Sequence, residues 1–249
     1  MRHGVCNLGI VPVRAEPDDK SELTSQLLYG EAFTVMETSK QWNKIRTAFD
    51  DYEGWIDAKQ FTAVSEADYN ALRSGTSEYS SHLLDYLTDH QERLMSIPLG
   101  SCVSACPLLS HTFDGASTTG KHSGQTLVDT ALLYLNTPYL WGGKTPFGID
   151  CSGFTQMVYK INGHRLLRDA SLQATQGKGL SFLEESTAGD LAFFDNDEGH
   201  IVHVGLLLEN NYIIHAHGKV RIDRIDHTGI FNVDTGKYSH KLRVIKKLI

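Results

Sequence analysis

One cysteine of the chain has surroundings that suit nucleophilic chemistry. Cys151 follows the turn-rich segment TPYLWGGKTPFGID and begins the run CSGFTQMVYKING, so it lies where a turn passes into a helix. The unpaired N–H groups and partial positive charge of a helix N-terminus favour a thiolate, which is the reactive form of cysteine. The same N–H groups can stabilise an oxyanion. The pattern therefore predicts Cys151 as the nucleophile of an acyl-transfer reaction.

A cysteine nucleophile needs a base, and two histidines on consecutive strand-like runs are candidates. His203 lies in HIVHVGLLLE, where strand alternation places it on one face with Gly205 and Leu207. His215 lies in the next run, NYIIHAHG, and the short ENN loop between the runs predicts a hairpin. A hairpin would set the two imidazoles side by side, with His203 as general base and His215 as the group that orients it.

Other interpretations fit the same residue types. A cysteine or a strand histidine taken singly is more often a small core residue. A zinc site is also open, because four histidines are near one another in the sequence: His200, His203, His215 and His217. The order of cysteine on a helix start, histidine on a strand and polar partner on the next strand favours a papain-like site. The residues alone leave both catalysis and a structural role open.

The elements that must position these residues run from 121 to 249. The segments TLVDTALLYLN and CSGFTQMVYKING have apolar residues at helical spacing, and Gly163 suits the end of the second helix. Four strand-like runs follow: DLAFFDN, HIVHVGLLLE, NYIIHAHGKV and KLRVIKKLI. Helices followed by antiparallel strands predict an α+β domain.

The first half of the chain has a different pattern. Residues 1–64 contain short alternating runs separated by turns, which predict a small β-barrel. Residues 65–120 begin with the helical pattern SEADYNALRSG, and SSHLLDYLTDHQERL extends it with leucines at helical spacing. We expect a helical segment there, followed by a second, degenerate barrel or an insert that ends in the linker-like STTGKHSG.

Composition and charge exclude several classes of protein. Hydrophobic residues make up 41% and charged residues 21% of the 249, as in an ordinary folded chain. The net charge of −7 and the absence of a basic stretch with interleaved aromatics argue against a nucleic-acid partner. No apolar run reaches the roughly 20 residues of a membrane span. The first residues lack a signal-peptide core, so we expect a cytoplasmic protein, or a periplasmic one whose export signal is absent from this chain.

The other cysteines do not form a dense disulfide framework. Cys102 and Cys106, in GSCVSACP, suit a disulfide, half of a metal site or two semi-buried thiols. A zinc site needs two further ligands at suitable spacing, and the sequence near them offers none. The interpretation as thiols is therefore favoured.

Six stretches of the second half resemble, in order, the NlpC family of papain-like endopeptidases: PYLWGG (138–143), DCSGF (150–154), RDASLQ (168–173), AGDLAFF (188–194), HVGL (203–206) and IIHA (213–216). They span nearly all of residues 125–249. The resemblance implies a papain-like fold without metal or cofactor. It implies Cys151 as nucleophile, His203 as general base and His215 as its orienting partner. Tyr139 matches the family tyrosine that lines the site and helps to hold the oxyanion.

The first half resembles a bacterial SH3-like domain. The stretches that carry this resemblance are SELTSQLLYGE (21–31), W-x-x-I-R-T and YEGWI (52–56). Its pairing with the catalytic domain is similar to the γ-D-glutamyl-L-diamino-acid endopeptidases, which trim murein peptides. That similarity implies a murein-derived tri- or tetrapeptide substrate with a free N-terminal L-alanine. Cleavage before meso-diaminopimelate or L-lysine would release L-Ala-D-Glu.

Selection of a free amine requires a negative pocket, because a buried ammonium must be paired. Asp150 beside the nucleophile is the first candidate, with Ser152 and Asp169 as further lining residues. Glu22 and Tyr52, from the SH3-like half, are candidates for a wall that blocks longer substrates. Each has a simpler role open to it: Asp150 as a helix cap, Glu22 as a solvated charge and Tyr52 as a barrel core residue.

Two rival functions are open besides the zinc protein. One is a cell-wall-binding module without activity, since SH3-like domains usually bind; the intact set of Cys151, His203 and His215 speaks against it. The other is an acyltransferase on the same scaffold, in which an acceptor other than water resolves the thioester. An assay of the products separates the acyltransferase from the hydrolase.

Overall fold

The computed structural model of the chain describes residues 2–249 and divides into two compact units. The first unit holds Met1–Gly120 and Trp141–Pro146, and the second holds Lys121–Leu140 and Phe147–Ile249. Each unit has a hydrophobic core of its own. Within the described residues, none of the helices combines the length and the apolar character that crossing a membrane requires.

A seven-stranded antiparallel sheet forms much of the first unit. Its strands are β1 (Arg2–Val5), β2 (Ile10–Arg14), β3 (Leu23–Leu28), β4 (Ala32–Ser39), β5 (Trp42–Thr47), β6 (Glu53–Asp57) and β7 (Thr62–Val64). They are ordered β3-β2-β6-β5-β4-β1-β7. Alternation along β2 buries Val11 and Val13, which pack with Phe33, Ile45 and Ile56. The short strands predicted for this stretch are therefore present.

The elements after this sheet are shorter. They are α1 (Glu66–Ser74), β8 (Glu78–Ser80), β9 (Leu84–Thr88), β10 (Leu94–Pro98), α2 (Cys106–Leu109) and β11 (Ser117–Thr119). Helix α1 agrees with the helix predicted from SEADYNALRSG. Ser65 caps it by accepting a hydrogen bond from the Asp68 N–H, and Tyr69 is its buried residue.

The helix predicted for SSHLLDYLTDHQERL is wrong. This segment forms an antiparallel hairpin of β9 and β10. The turn is fixed by Asp89, whose Oδ1 accepts from the backbone N–H groups of Gln91 and Arg93 at 2.8 and 3.0 Å. Leu87 and Ile97 point into a small core, so the leucines satisfy a strand pattern as well as a helical one.

The four cysteines are thiols. Cys102 and Cys106 are buried, in keeping with the interpretation as semi-buried thiols. The Tyr29 hydroxyl donates to the Cys106 sulfur at 3.6 Å and lies 3.0 Å from the His111 Nδ1. These contacts give the second small core of this unit a polar centre.

The segment Trp141–Pro146 also belongs to the first unit and contains β12 (Lys144–Thr145). The buried Lys144 ammonium lies 3.3 Å from the Glu31 carboxylate. The backbone N–H of Lys144 donates to the Gln26 side-chain oxygen at 2.7 Å. The indole N–H of Trp141 donates to the Glu22 carboxylate at 2.6 Å. Charged and amide hydrogen bonds thus hold this loop within its unit.

The second unit combines helices with an antiparallel barrel. Its helices are α3 (Gln125–Leu133), α4 (Cys151–Ile161) and α5 (Ala170–Gln173). Its strands are β13 (Gly148–Ile149), β14 (Lys178–Leu180), β15 (Leu191–Asp195), β16 (Ile201–Leu208), β17 (Tyr212–His217), β18 (Lys219–Ile225), β19 (Gly229–Asn232) and β20 (Lys237–Lys247). The order is β14-β20-β15-β16-β17-β18-β19, and a further pairing of β19 with β20 closes six strands into a barrel.

Side chains from all six barrel strands meet in one core that includes Phe194, Leu207, Ile213, Ile230 and Ile245. Helix α4 packs against β16 and β17. Its predicted apolar stripe is buried: Phe154, Met157, Val158 and Ile161. The helix ends before Gly163, whose φ of +76° suits a residue without a side chain. The α+β architecture predicted from the sequence is the one observed.

Candidate active site

Cys151 is the first residue of α4. Asp150 caps the helix by accepting from the Gly153 N–H at 2.6 Å. The Cys151 sulfur lies near the backbone N–H of Val204, the residue that follows His203 on β16. Burial, together with the nearby Asp150 carboxylate, raises the pKa of the Cys151 thiol to about 12. This direction is opposite to the one that a helix N-terminus alone predicts, so the resting group is a thiol.

His203 and His215 lie side by side, as the predicted hairpin requires. Strands β16 and β17 are antiparallel with Gly205 opposite His215, and the turn between them is Glu209–Asn211. His203 Nε2 lies 2.8 Å from His215 Nδ1. A Cβ on Gly205 would lie 2.9 Å from the His215 Cβ, so the glycine provides the space that the second imidazole occupies.

Two further residues extend this contact, and the sequence did not indicate either. His215 Nε2 lies 3.0 Å from Asp223 Oδ2 on β18. Asp223 in turn accepts from Arg221 at 2.6 Å and from the Val233 N–H at 3.0 Å. Asp223 is fully buried. Burial alone would raise its pKa, but the hydrogen bonds from His215 and Arg221 lower it below the usual range.

His240, on β20, was also missed. Its ring stacks on that of His203 with centroids 4.1 Å apart. Burial lowers the pKa of His203 well below its usual value, and the neighbouring imidazoles of His215, His240 and His217 add to the effect. Burial likewise lowers the pKa of His215 and lowers that of His240 to about 4. His203 is therefore a neutral imidazole that can accept a proton.

The same cluster contains the donor atoms that a metal ion would need. One ring nitrogen from each of His203, His215 and His240 lies within 4.8 Å of the other two. Three imidazoles suit Zn²⁺ chemically. The set differs from the one considered in the sequence, because His200 is exposed and lies 3.3 Å from the Glu198 carboxylate, and His217 is exposed. His240 was not among the four histidines considered for that site.

Tyr139 precedes the helix start and is 36% exposed. Partial burial, with the Cys151 and Asp150 groups nearby, raises the pKa of its hydroxyl to about 12. The phenol therefore remains a hydrogen-bond donor near the thiol.

Asp150 and Ser152 contact a buried arginine that was not among the candidates. Arg168 donates to Asp150 Oδ2 at 2.6 Å, to Asp150 Oδ1 at 3.0 Å and to the Ser152 hydroxyl at 2.9 Å. Asp150 thus combines the capping role with a buried ion pair. Asp169 is half-buried and occupies the N-cap position of α5. Ammonium binding by these residues stays a prediction.

Glu22 and Tyr52 lie in the first unit. Glu22 is exposed and accepts the Trp141 indole N–H. Tyr52 is half-buried, and its backbone N–H donates to the Thr47 hydroxyl at 3.0 Å. Their suggested role as a wall against longer substrates stays a prediction.

Comparison with known proteins supplies an independent line of evidence. Residues 136–237 match the NlpC/P60 family, and residues 13–61 match the bacterial dipeptidyl-peptidase SH3 domain. The γ-D-glutamyl-L-lysine dipeptidyl-peptidase of Bacillus subtilis is 43% identical over 98 residues, which are 39% of this chain and 33% of that protein. Dipeptidyl-peptidase 6 of Lysinibacillus sphaericus is 27% identical over 237 residues, covering 81% of this chain and 83% of that one.

A solved structure is similar over nearly the full length. The crystal structure of an NlpC/P60 family protein from Bacillus cereus has a TM-score of 0.81 and covers 98% of this chain and 99% of its own. The sequence identity is 18%, so this likeness concerns the fold.

Proposed function

Since the chain carries an NlpC/P60 domain and a bacterial dipeptidyl-peptidase SH3 domain, we propose that it is a cysteine peptidase that trims murein peptides. The reaction is hydrolysis of the bond between γ-D-glutamate and the following L-diamino acid. The substrate is a tri- or tetrapeptide with a free N-terminal L-alanine, and the product is L-Ala-D-Glu. The name of the Bacillus subtilis relative supports this bond as the target.

One observation carries the proposal. The Cys151 thiol lies at the start of α4, near the backbone N–H of Val204 that follows His203, and His203 Nε2 lies 2.8 Å from His215 Nδ1. A nucleophile, a neutral base and an orienting partner on three separate elements form the arrangement that cysteine peptidases use.

Acylation begins with a neutral Cys151 thiol and a neutral His203 imidazole. The Cys151 thiol proton passes to His203 while the sulfur forms a bond to the γ-carbonyl carbon of D-glutamate. The negative charge on the carbonyl oxygen is met by N–H groups at the start of α4 and by the Tyr139 hydroxyl. When the tetrahedral intermediate collapses, the C–N bond breaks and His203 gives its proton to the amine of the diamino acid.

Deacylation follows the same steps with water as the nucleophile. His203 takes one proton from water as the oxygen attacks the thioester carbon. The C–S bond then breaks, L-Ala-D-Glu leaves, and the Cys151 thiolate recovers its proton from His203. The cycle thus combines covalent steps on the Cys151 sulfur with proton transfers through His203.

The selectivity for a free amine is assigned to the carboxylates of the candidate set. Asp150 and Asp169, with the Ser152 hydroxyl, are proposed to pair with the ammonium of L-alanine. Because Arg168 already neutralises Asp150, this pocket needs a further negative group. Glu22 and Tyr52, from the SH3-like half, are proposed as a wall that blocks longer substrates.

The proposed domain limits follow the sequence patterns. We assign residues 1–64 to the SH3-like barrel and 121–249 to the peptidase domain. Residues 65–120 form a connecting region with a short helix, the β9–β10 hairpin and the core around Tyr29.

The test uses two peptides, each with a free and with an acetylated N-terminus. The protein is incubated with L-Ala-γ-D-Glu-meso-diaminopimelate, with the L-lysine analogue, and with each peptide N-acetylated, and products are followed by mass spectrometry. We expect L-Ala-D-Glu from the free peptides alone, and none from the Cys151→Ala variant.

Other outcomes separate the rivals. Cleavage of acetylated peptides would remove the amine-selecting role of Asp150, Glu22 and their neighbours. Transfer of the acyl group to an added amine, in place of hydrolysis, would favour the acyltransferase. No cleavage of any peptide would overturn the proposed function and favour a binding module.

A further inference from the structure

Asp223 lies at the far end of the imidazole pair. It is on β18, two positions beyond Arg221, which is the direct ladder partner of His215. Its Oδ2 lies 3.0 Å from His215 Nε2 and 2.6 Å from Arg221 Nε. Its Oδ1 accepts from Arg221 at 2.9 Å and from the Val233 N–H at 3.0 Å. Arg221 and the Val233 N–H are therefore donors to this carboxylate, and only the role of the imidazole depends on its tautomer.

A carboxylate surrounded by a guanidinium and a backbone N–H stays ionised, and an ionised carboxylate can only accept. His215 Nε2 must then carry the hydrogen. A neutral imidazole has a single N–H, so His215 Nδ1 is left with a lone pair. The only hydrogen available for the 2.8 Å contact is on His203 Nε2. The same reasoning applied to His203 leaves its lone pair on Nδ1.

We propose that Asp223 is a positioning residue that fixes the tautomers of His215 and His203, and so makes Nδ1 of His203 the basic nitrogen. The assignment of the tautomers does not depend on the proposed function, and only its catalytic consequence rests on that function. When His203 Nδ1 takes the thiol proton, the new positive charge is shared with an imidazole already polarised by Asp223. Arg221 holds the carboxylate in place, and its own outer partner is the exposed Asp234 at 2.8 Å.

The variant Asp223→Asn tests the direction of these hydrogen bonds. The amide keeps the size of the carboxylate. We expect its oxygen to replace Oδ1, which accepts from both Arg221 Nη2 and the Val233 N–H, whereas Oδ2, apart from its contact with His215, accepts from Arg221 Nε alone. As a result, Arg221 Nε loses its acceptor and must turn away from the amide. The amide NH₂ then donates to His215 Nε2, which moves the hydrogens of both histidines to Nδ1. We expect kcat to fall by about 10²- to 10⁴-fold with KM within about threefold, as for other reversed tautomers in triads.

Asp234→Asn is the matched control. It removes the outer carboxylate from Arg221 and leaves the contact of Asp223 with His215, so kcat should stay within about twofold of the wild type. An Asp223→Asn variant with wild-type kcat would overturn the proposal. So would equal losses in the two variants, since these would indicate a general effect of the arginine network.

The tautomers themselves are read by NMR on the full chain labelled with ¹⁵N-histidine. The expected wild-type pattern is N–H on Nε2 in both His203 and His215, changed to Nδ1 in Asp223→Asn. Wild-type rings with hydrogen on Nδ1 would overturn the inference. The wild-type spectrum needs neither a substrate nor a variant. It therefore decides the tautomer assignment even if the wild-type chain cleaves none of the murein peptides.

Discussion

Two aspartate–arginine pairs with buried carboxylates lie on the two sides of the proposed site, and their roles differ. Asp150 and Arg168 lie at the start of α4, where the carboxylate also caps the helix that presents Cys151. Asp223 and Arg221 lie on β18, where the carboxylate meets the imidazole of His215. The first pair holds the backbone at the start of α4, and the second is proposed to determine which nitrogen of His215 carries the hydrogen. Loss of the first pair is therefore expected to lower mainly the free energy of unfolding, and loss of the second to lower mainly kcat.

The largest effect is expected from Arg168→Met. The change leaves the Asp150 carboxylate buried without its counter-charge, which should lower the free energy of unfolding by about 3–5 kcal/mol. Arg221→Met should lower it less, because Arg221 is partly exposed and Asp223 keeps its contacts with His215 and Val233. Urea unfolding followed by circular dichroism measures both.

A double variant shows whether charge is the cause. Arg168→Met with Asp150→Asn removes both charges and keeps a side-chain acceptor for the Gly153 N–H. It should recover most of the lost stability. If the double variant is as unstable as the single one, the loss comes from packing of the Arg168 side chain and the comparison of the two pairs fails.

A medium effect is expected from Gly205→Ala on the imidazole side. The added Cβ would lie 2.7 Å from the Ile213 Cδ1 and 2.9 Å from the His215 Cβ. Overpacking of this kind costs about 1–3 kcal/mol of stability. Displacement of His215 should lower kcat by about 10- to 100-fold. Both are measured on one preparation by urea unfolding and peptide hydrolysis.

Gly179→Ala is the control for that change. Within the described chain, nothing lies within 4 Å of the Cβ that it adds, so neither stability nor kcat should change. A Gly205→Ala variant with wild-type turnover would mean that the position of His215 is not critical for the reaction.

The last expected effect is a dependence of the free energy of unfolding on pH, of which a single histidine supplies only a part. Burial lowers the pKa of His203, His215 and His240, while unfolded histidines titrate near 6.5. Below that pH the unfolded chain binds more protons than the folded one. The stability is therefore full above about pH 6.5 and is lost as the pH falls, by up to about 1.4 kcal/mol per pH unit for each group.

His240→Phe isolates one contribution to this slope. The variant keeps an aromatic ring against His203 but cannot titrate. Its free energy of unfolding is measured by urea between pH 7.5 and 4.5. It should fall less steeply with decreasing pH than that of the wild type, and the difference in slope should correspond to about one bound proton. Parallel slopes would show that His240 does not hold its proton differently in the two states.

The sequence predicted the parts of the site that depend on local pattern. The stripe on α4 places Cys151 at a helix start, and the short ENN loop pairs His203 with His215. Both follow from periodicity and turn length, which neighbouring residues determine. The mistaken helix over SSHLLDYLTDHQERL shows the limit of that signal, because one Asp89 turn converts leucines at helical spacing into a hairpin.

The missed residues depend on which segments lie next to each other and in what register. Arg168 meets Asp150 across 18 positions, and Asp223 meets His215 only in the register of β17 with β18. His240 reaches His203 because β20 returns beside β15 and β19 to close the barrel. Hydrophobic alternation specifies which face of a strand is buried, but it does not specify which strand lies next to it.

Closure of the barrel also limits how a peptide can be recognised. Strand β17 pairs with β16 only from Gly205 to Leu208, so the stretch 201–204, which carries His203, is not part of the β16–β17 ladder. Strand addition, the mode in which main-chain hydrogen bonds supply the affinity, is therefore limited to this short stretch of β16. A substrate must be held mainly by side chains and by loop backbone. A chain with a γ-linkage and a D-residue loses little under that rule, because its irregular backbone would break the register of a β-ladder.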